Sequence, residues 1–222
     1  MGLKENYAQV LERIAKAAER SGRKPSDITL VAVTKKFSSA VMREAFDLGM
    51  RDLGENYVQE FEGKYPDLSD LAPAARFHLI GHLQSNKARK AAEMFRVIET
   101  VDSVKLARRL DSMDVPLEVM VEVKLSEEES KEGAAPAEVP AIVEALRSAK
   151  NLTLTGLMTM PPWNDDPEVT RPYFRRLAAM SRELGLPKLS MGMSHDLEAA
   201  IEEGSTHVRV GTALFGKRVK PS

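Results

Sequence analysis

Cysteine is absent from the chain, which removes disulfides and thiolate metal ligands and does not demand an oxidising compartment. Neither sign of charge is in excess. The 32 basic and 33 acidic residues leave a formal net charge of −1, so nothing in the total announces a nucleic-acid or membrane partner. No stretch approaches the roughly 18 uninterrupted apolar residues of a membrane span. The opening segment, MGLKENYAQVLERIAKAAERSGRKPSD, is charged and amphipathic, whereas a secretory leader sets a short basic segment before an apolar one. Low-complexity tracts and a linker that would mark a domain boundary are also missing. A monomeric cytoplasmic protein is expected, its residues 1–222 forming one domain.

What the chain does have is rhythm. Val10, Leu11, Ile14 and Ala17/Ala18 recur at helical spacing, and Gly22 and Pro25 end that leading helix. Short apolar or alternating runs then alternate with amphipathic ones. Strands are expected at Ile28 to Thr34, Arg51 to Gly54, Arg76 to Ile80, Arg96 to Thr100, Leu117 to Val123, Leu152 to Met158, Lys188 to Met191 and His207 to Val210. Helices are expected between them, with none after the last strand. This is the beat of a single (β/α)8 TIM-type barrel with a leading N-terminal helix. A doubly wound open sheet satisfies the same rhythm, because periodicity does not show closure. In a barrel, the long polar loops Leu125 to Glu138 and Met160 to Val169 both follow strands and fall on the C-terminal rim, where sites are built.

The first strand, within ITLVAVTKKFSS, runs into two lysines. Strand alternation puts Val31, Val33 and Lys35 on one face and Ala32, Thr34 and Lys36 on the other. A lysine ringed by low-dielectric walls loses hydration, and its neutral amine can form an imine with an aldehyde. On this fragment alone, two wet lysines at a strand end are the simpler explanation. The far end of the chain, LSMGMSHDLEAAIEEGSTHVRVGTALFG, adds a second feature. Ser194 reads as the N-cap of a short helix. With Gly211 and Thr212 it also has the residue types that hold a phosphate after barrel strands seven and eight. Arg209 alternates with Val208 and Val210. It either snorkels from the outer layer or faces a polar ligand inside the barrel.

Taken together, LVAVTKKF, LGENYVQE, FHLIGHLQSNK, VDSVKLA, EESKEG, LTGLMTM and the long C-terminal block span nearly the whole chain in order. In these the sequence resembles the pyridoxal phosphate homeostasis proteins of the YggS type, whose fold is similar to the barrel domain of alanine racemase. The resemblance implies pyridoxal 5′-phosphate as cofactor, held by Lys35 as an internal aldimine. It implies Ser194, Gly211 and Thr212 on the phosphate, Arg209 on the pyridine nitrogen, and Asn56 and His82 at rim positions beside the cofactor. Two departures stand out: Thr34-Lys35-Lys36-Phe37 stands where family members commonly read Ser-Lys-Thr-Lys/His-Pro, so a second lysine adjoins Lys35 and the usual proline is absent, and His195 replaces a more usual small or acidic residue.

The implied role is to carry and buffer the cofactor, with cofactor-accepting apoenzymes as partners and no strong turnover. A racemase-like enzyme and a lysine-dependent aldolase are the other readings. Racemases of this barrel type take an acid or base from a further domain or subunit, and no tyrosine here stands in an equivalent place. An arginine against the pyridine nitrogen weakens the ring as an electron sink. His78 and His82 lack a nearby carboxylate in the sequence, so no metal site is expected there. Lys131 reads as a solvated loop lysine, and the 217–220 run is too short for a nucleic-acid site.

Overall fold

The computed structural model describes residues 2–128 and 132–216. Lys131 and the 217–220 run lie outside these described residues. Eight parallel strands, β1 (Thr29–Val33), β2 (Asp52–Glu55), β3 (Arg76–Leu79), β4 (Val97–Val101), β5 (Leu117–Glu122), β6 (Leu152–Met158), β7 (Lys188–Met193) and β8 (His207–Val210), pair in chain order. Strand β8 returns to β1 with Arg209 opposite Val31, so the sheet is a closed barrel and the open-sheet alternative is excluded.

The helices are α1 (Leu3–Arg20), α2 (Ser39–Asp47), α3 (Val58–Lys64), α4 (Ala88–Met94), α5 (Val104–Asp111), α6 (Val139–Arg147), α7 (Arg171–Glu183), α8 (Leu197–Glu202) and α9 (Thr212–Phe215). The last of these corrects the sequence reading, which placed no helix after the eighth strand. Four residues are too few for a hydrophobic period to register, which is why α9 was missed.

Helix α1 buries Val10, Ile14, Ala17 and Ala18 and leaves its charged face outward. It packs against α8, where Arg13 pairs with both oxygens of Glu198 at 2.6 and 2.8 Å. The outward faces of the strands, with Ala32, Leu53, Phe77, Leu79 and Ile98, join the helices in one apolar layer. At about 25 cal/mol per Å² of apolar surface removed from water, that layer is the main stabilising contribution.

The barrel interior is built differently. At its N-terminal end Arg76 pairs with Glu118 at 2.8 Å and approaches Asp52 at 3.6 Å, and Lys188 reaches Glu118 at 3.2 Å. Above them sits His78, fully buried, with Nδ1 2.7 Å from Glu99 and Nε2 2.9 Å from Asp52. Burying a charge is costly unless it is paired, and the two fully buried groups here, His78 and Glu99, are paired. The pairing answers the sequence-level view of His78: its carboxylates come from β2 and β4.

Candidate functional site

The site begins where β1 ends. After Val33 the chain turns, with Phe37 N–H donating to the Thr34 carbonyl at 3.0 Å, and Lys36 takes a φ of 66°. Lys35 therefore sits in a turn and not on the strand whose alternation was expected to aim it. The outcome agrees all the same: Lys35 is half-buried along a cavity, and Lys36 is exposed. A polar clamp holds this turn from beneath. Thr34 Oγ1 donates to Glu55 at 2.8 Å, Lys64 donates to Glu55 and Glu60 at 2.9 and 2.6 Å, and Glu60 accepts from the Lys36 backbone. Burial pushes the Glu55 carboxyl up despite Lys64 beside it.

The cavity, about 450 Å³, opens on the C-terminal rim and brings together Lys35, Asn56, Ser194, Arg209, Gly211 and Thr212. That volume lies within the ordinary range for small-molecule sites. Val33, Ile80, Met160 and Met193 supply apolar wall. Trp163 and His195, in contact with ring centroids 3.8 Å apart and planes tilted by 44°, form part of the mouth, and Trp163 is 64% exposed. His82 is not in this group. It follows β3 and lines an adjoining cavity that shares Asn56 and Met160 with the first.

Ser194 has a different local job from the one read in the sequence. Asp196 is the N-cap of α8, and its Oδ1 accepts from the Met193 N–H at 2.7 Å. Ser194 Oγ instead accepts from the N–H groups of Gly211 and Ala213 at 3.3 and 3.2 Å, joining the β7 loop to the start of α9. Its hydroxyl hydrogen remains for a ligand. Gly211 has no side chain and Ala213 only a methyl group, so a ligand can come close to the backbone here. The two loops thus form one donor-rich corner, the chemistry an anionic group needs.

Arg209 faces inward, which resolves the two orientations open on the strand pattern. It is 3% exposed and donates to Ser190 Oγ at 2.7 Å and to the Thr159 carbonyl at 2.8 Å. Burial draws its pKa below the usual arginine value, opposed by Glu99, Glu122 and Asp196. Burial likewise opposes charge on Glu99. The His78 hydrogen bond and the positive charges around it nonetheless bring Glu99 to about 2. Ser190 also bonds Glu99, so a polar chain runs from Asp52 through His78, Glu99 and Ser190 to Arg209. Glu122, on β5, is pushed up to about 7 by burial, against the pull of Arg209.

Sequence reasoning missed Glu99, Glu122, Ser190 and Trp163. A signal existed for the two glutamates: Glu99 is the one charged residue in VIETV, and Glu122 follows the apolar run VMV and precedes Val123, much as Arg209 stands between two valines in HVRV.

A family model described as alanine racemase, N-terminal domain, matches residues 6–219. A pyridoxal phosphate homeostasis protein of Pseudomonas aeruginosa is 46% identical over 220 residues, covering 96% of this chain and 95% of that protein. The chain belongs to the pyridoxal phosphate homeostasis protein family. Its counterpart in Aquifex aeolicus is 42% identical, over 96% of this chain and 97% of its own. Among solved structures, PipY of Synechococcus elongatus with PLP bound superposes with a TM-score of 0.81 at 39% identity, covering 91% of this chain and all of PipY. Alanine racemase of Corynebacterium glutamicum shares the fold at 19% identity, with a TM-score of 0.69 over 94% of this chain and 60% of its own. Family membership and the barrel are therefore in register: the model spans all eight strands.

Proposed function

We propose that this chain binds pyridoxal 5′-phosphate in the Lys35 cavity and serves as a monomeric cytoplasmic carrier that buffers the cofactor and yields it to apoenzymes. The observation that carries the reading is one cavity lined by an amine, a buried guanidinium and a corner of backbone and hydroxyl donors: Lys35, Arg209, and Ser194 with Gly211 and Thr212. PipY, a relative with the cofactor bound, adds support. The residues fit the group. Asn56 Oδ1 is buried without a partner in the same cavity, a polar atom that a ligand can satisfy.

When bound, the cofactor supplies an aldehyde that an amine takes up reversibly. Lys35 contributes that amine. The Ser194 corner takes the phosphate, and Arg209, braced by Ser190 and Thr159, presents its guanidinium to the pyridine nitrogen. Two adjacent cations would repel, so this arrangement disfavours a protonated ring and with it carbanion chemistry. Holding outweighs turnover on that ground.

Two assays test the proposal. In one, loaded protein is mixed with a cofactor-dependent apoenzyme, whose activation should follow with time. In the other, amino-acid chirality and keto-acid formation are followed and should match free cofactor. Stereochemical turnover abolished by Lys35→Ala would replace the carrier reading with the racemase-like one.

A further inference from the structure

His82, Asp102 and Glu132 converge beside the cofactor cavity from the ends of β3 and β4 and from the loop after β5. His82 Nδ1 lies 3.4 Å from Asp102 Oδ2 and 3.5 Å from Glu132 Oε2, and the three ligand atoms all lie within 4.8 Å of one another. These separations exceed the usual hydrogen-bond length, so the groups gather without closing on one another. They match another geometry. Ligands about 2.1 Å from a tetrahedral zinc ion stand about 3.4 Å apart.

Glu122 is an independent observation. It is 2% exposed, its Oε2 has no hydrogen-bond partner, and it lines the same cavity of about 480 Å³ as His82 and Glu132. A buried carboxylate oxygen left unpaired is costly, and a cation in this cavity would relieve it. Among the described residues lining the cavity, Lys87 is the one lysine or arginine.

The cluster is also held in place. Gly133 has a φ of 108°, and a Cβ there would come 3.1 Å from Glu122 Cγ and 2.9 Å from the Lys124 nitrogen. The bonds Ala134 N–H to Glu122 O, 2.8 Å, and Lys124 N–H to Ala134 O, 2.9 Å, fasten this stretch against the end of β5. On the other side, Thr100 Oγ1 donates to the Gly81 carbonyl at 2.9 Å, tying the turn before His82 to the strand before Asp102.

We propose that His82, Asp102 and Glu132 bind a divalent ion of the zinc class on the barrel rim, with Glu122 facing its open side. One imidazole with carboxylates suits zinc and its transition-metal neighbours, whereas calcium takes six to eight oxygens. The sequence offered no such site because its carboxylates lie 20 or more positions from His82. The ion pins Glu132 to the turns after β3 and β4, next to the mouth of the cofactor cavity. The inference does not depend on which ligand fills that neighbouring cavity.

The experiment is a Zn²⁺ titration of the full chain against a chromogenic chelator, repeated with Co²⁺ to read coordination from its visible bands. One equivalent is expected, with tetrahedral cobalt bands. His82→Ala and Asp102→Asn should each weaken binding at least tenfold and abolish the bands, while His195→Ala, which removes the other partly exposed imidazole, should change neither. Asp102→Asn is nearly isosteric, and circular dichroism verifies its fold. Absence of stoichiometric binding in the wild type, or equal binding in the wild type and both variants, overturns the site.

Discussion

Arg209 donates to Ser190 Oγ at 2.7 Å, and that hydroxyl also bonds Glu99, so one serine couples a buried cation to a buried anion. Ser190→Ala would leave both charges short of a partner inside the barrel. A loss of about 1–3 kcal/mol in unfolding free energy is expected, together with weaker cofactor binding as Arg209 loses its brace. Denaturant unfolding and a cofactor titration read the two effects. Wild-type values in both would mean that the coupling carries no energy.

Lys35 is half-buried at a turn outside the apolar core, so its truncation should spare the fold. Borohydride treatment of loaded wild-type protein should fix the cofactor to the fragment containing Lys35, and Lys35→Ala should take up none covalently while its melting temperature stays within a few degrees. Mass spectrometry of the reduced protein decides between neighbours. Label confined to Lys36 would put the amine on the exposed side of the turn.

Trp163 is the single tryptophan, and it lies at the cavity mouth against His195. Its fluorescence should therefore report the cavity directly, falling as cofactor is added and following the same curve as cofactor absorbance. Trp163→Leu should remove the signal and leave affinity within a few fold, because an exposed ring adds little to a site closed below by Arg209. Unchanged emission on saturation would place the cofactor elsewhere.

His207 is buried, with Thr206 on its Nδ1 at 2.8 Å and Glu99, His78, Lys188 and Asp52 as the charges that face it. Burial pulls its pKa from 6.5 down to about 4. Between those values the unfolded chain takes up a proton that the folded chain refuses, so stability falls as pH drops from about 6.5 to 4, by at most about 3 kcal/mol. His78 acts with the opposite sign. Burial opposes its charge, but Asp52 and Glu99 outweigh it and raise its pKa, so its contribution is present below 6.5 and lost as pH rises through the folded value. Replacing His207 with asparagine should flatten the acid limb of a stability–pH profile. An acid limb of unchanged slope in that variant would assign the proton uptake to another group.

The sequence by itself determined the barrel's rhythm, because one buried face per element forces a period of 2 or 3.6 that can be read without coordinates. Motif order was equally legible, and it brought Lys35, Ser194, Arg209, Gly211 and Thr212 forward from opposite ends of the chain. Closure was decided only by the tertiary structure: it depends on β8 pairing with β1 across 178 positions, as between Val31 and Arg209, and no local pattern encodes that. The same holds for the partners of each charged side chain. Ser194 looked like the cap of the helix beside it, yet it bonds the next loop. His78 and His82 looked short of carboxylates, yet β2, β4 and the β5 loop deliver Asp52, Glu99, Asp102 and Glu132. A parallel barrel turns every strand's inward face toward one axis, so residues 19 to 91 positions apart become neighbours there, and the low dielectric of that interior makes an unpaired charge costly.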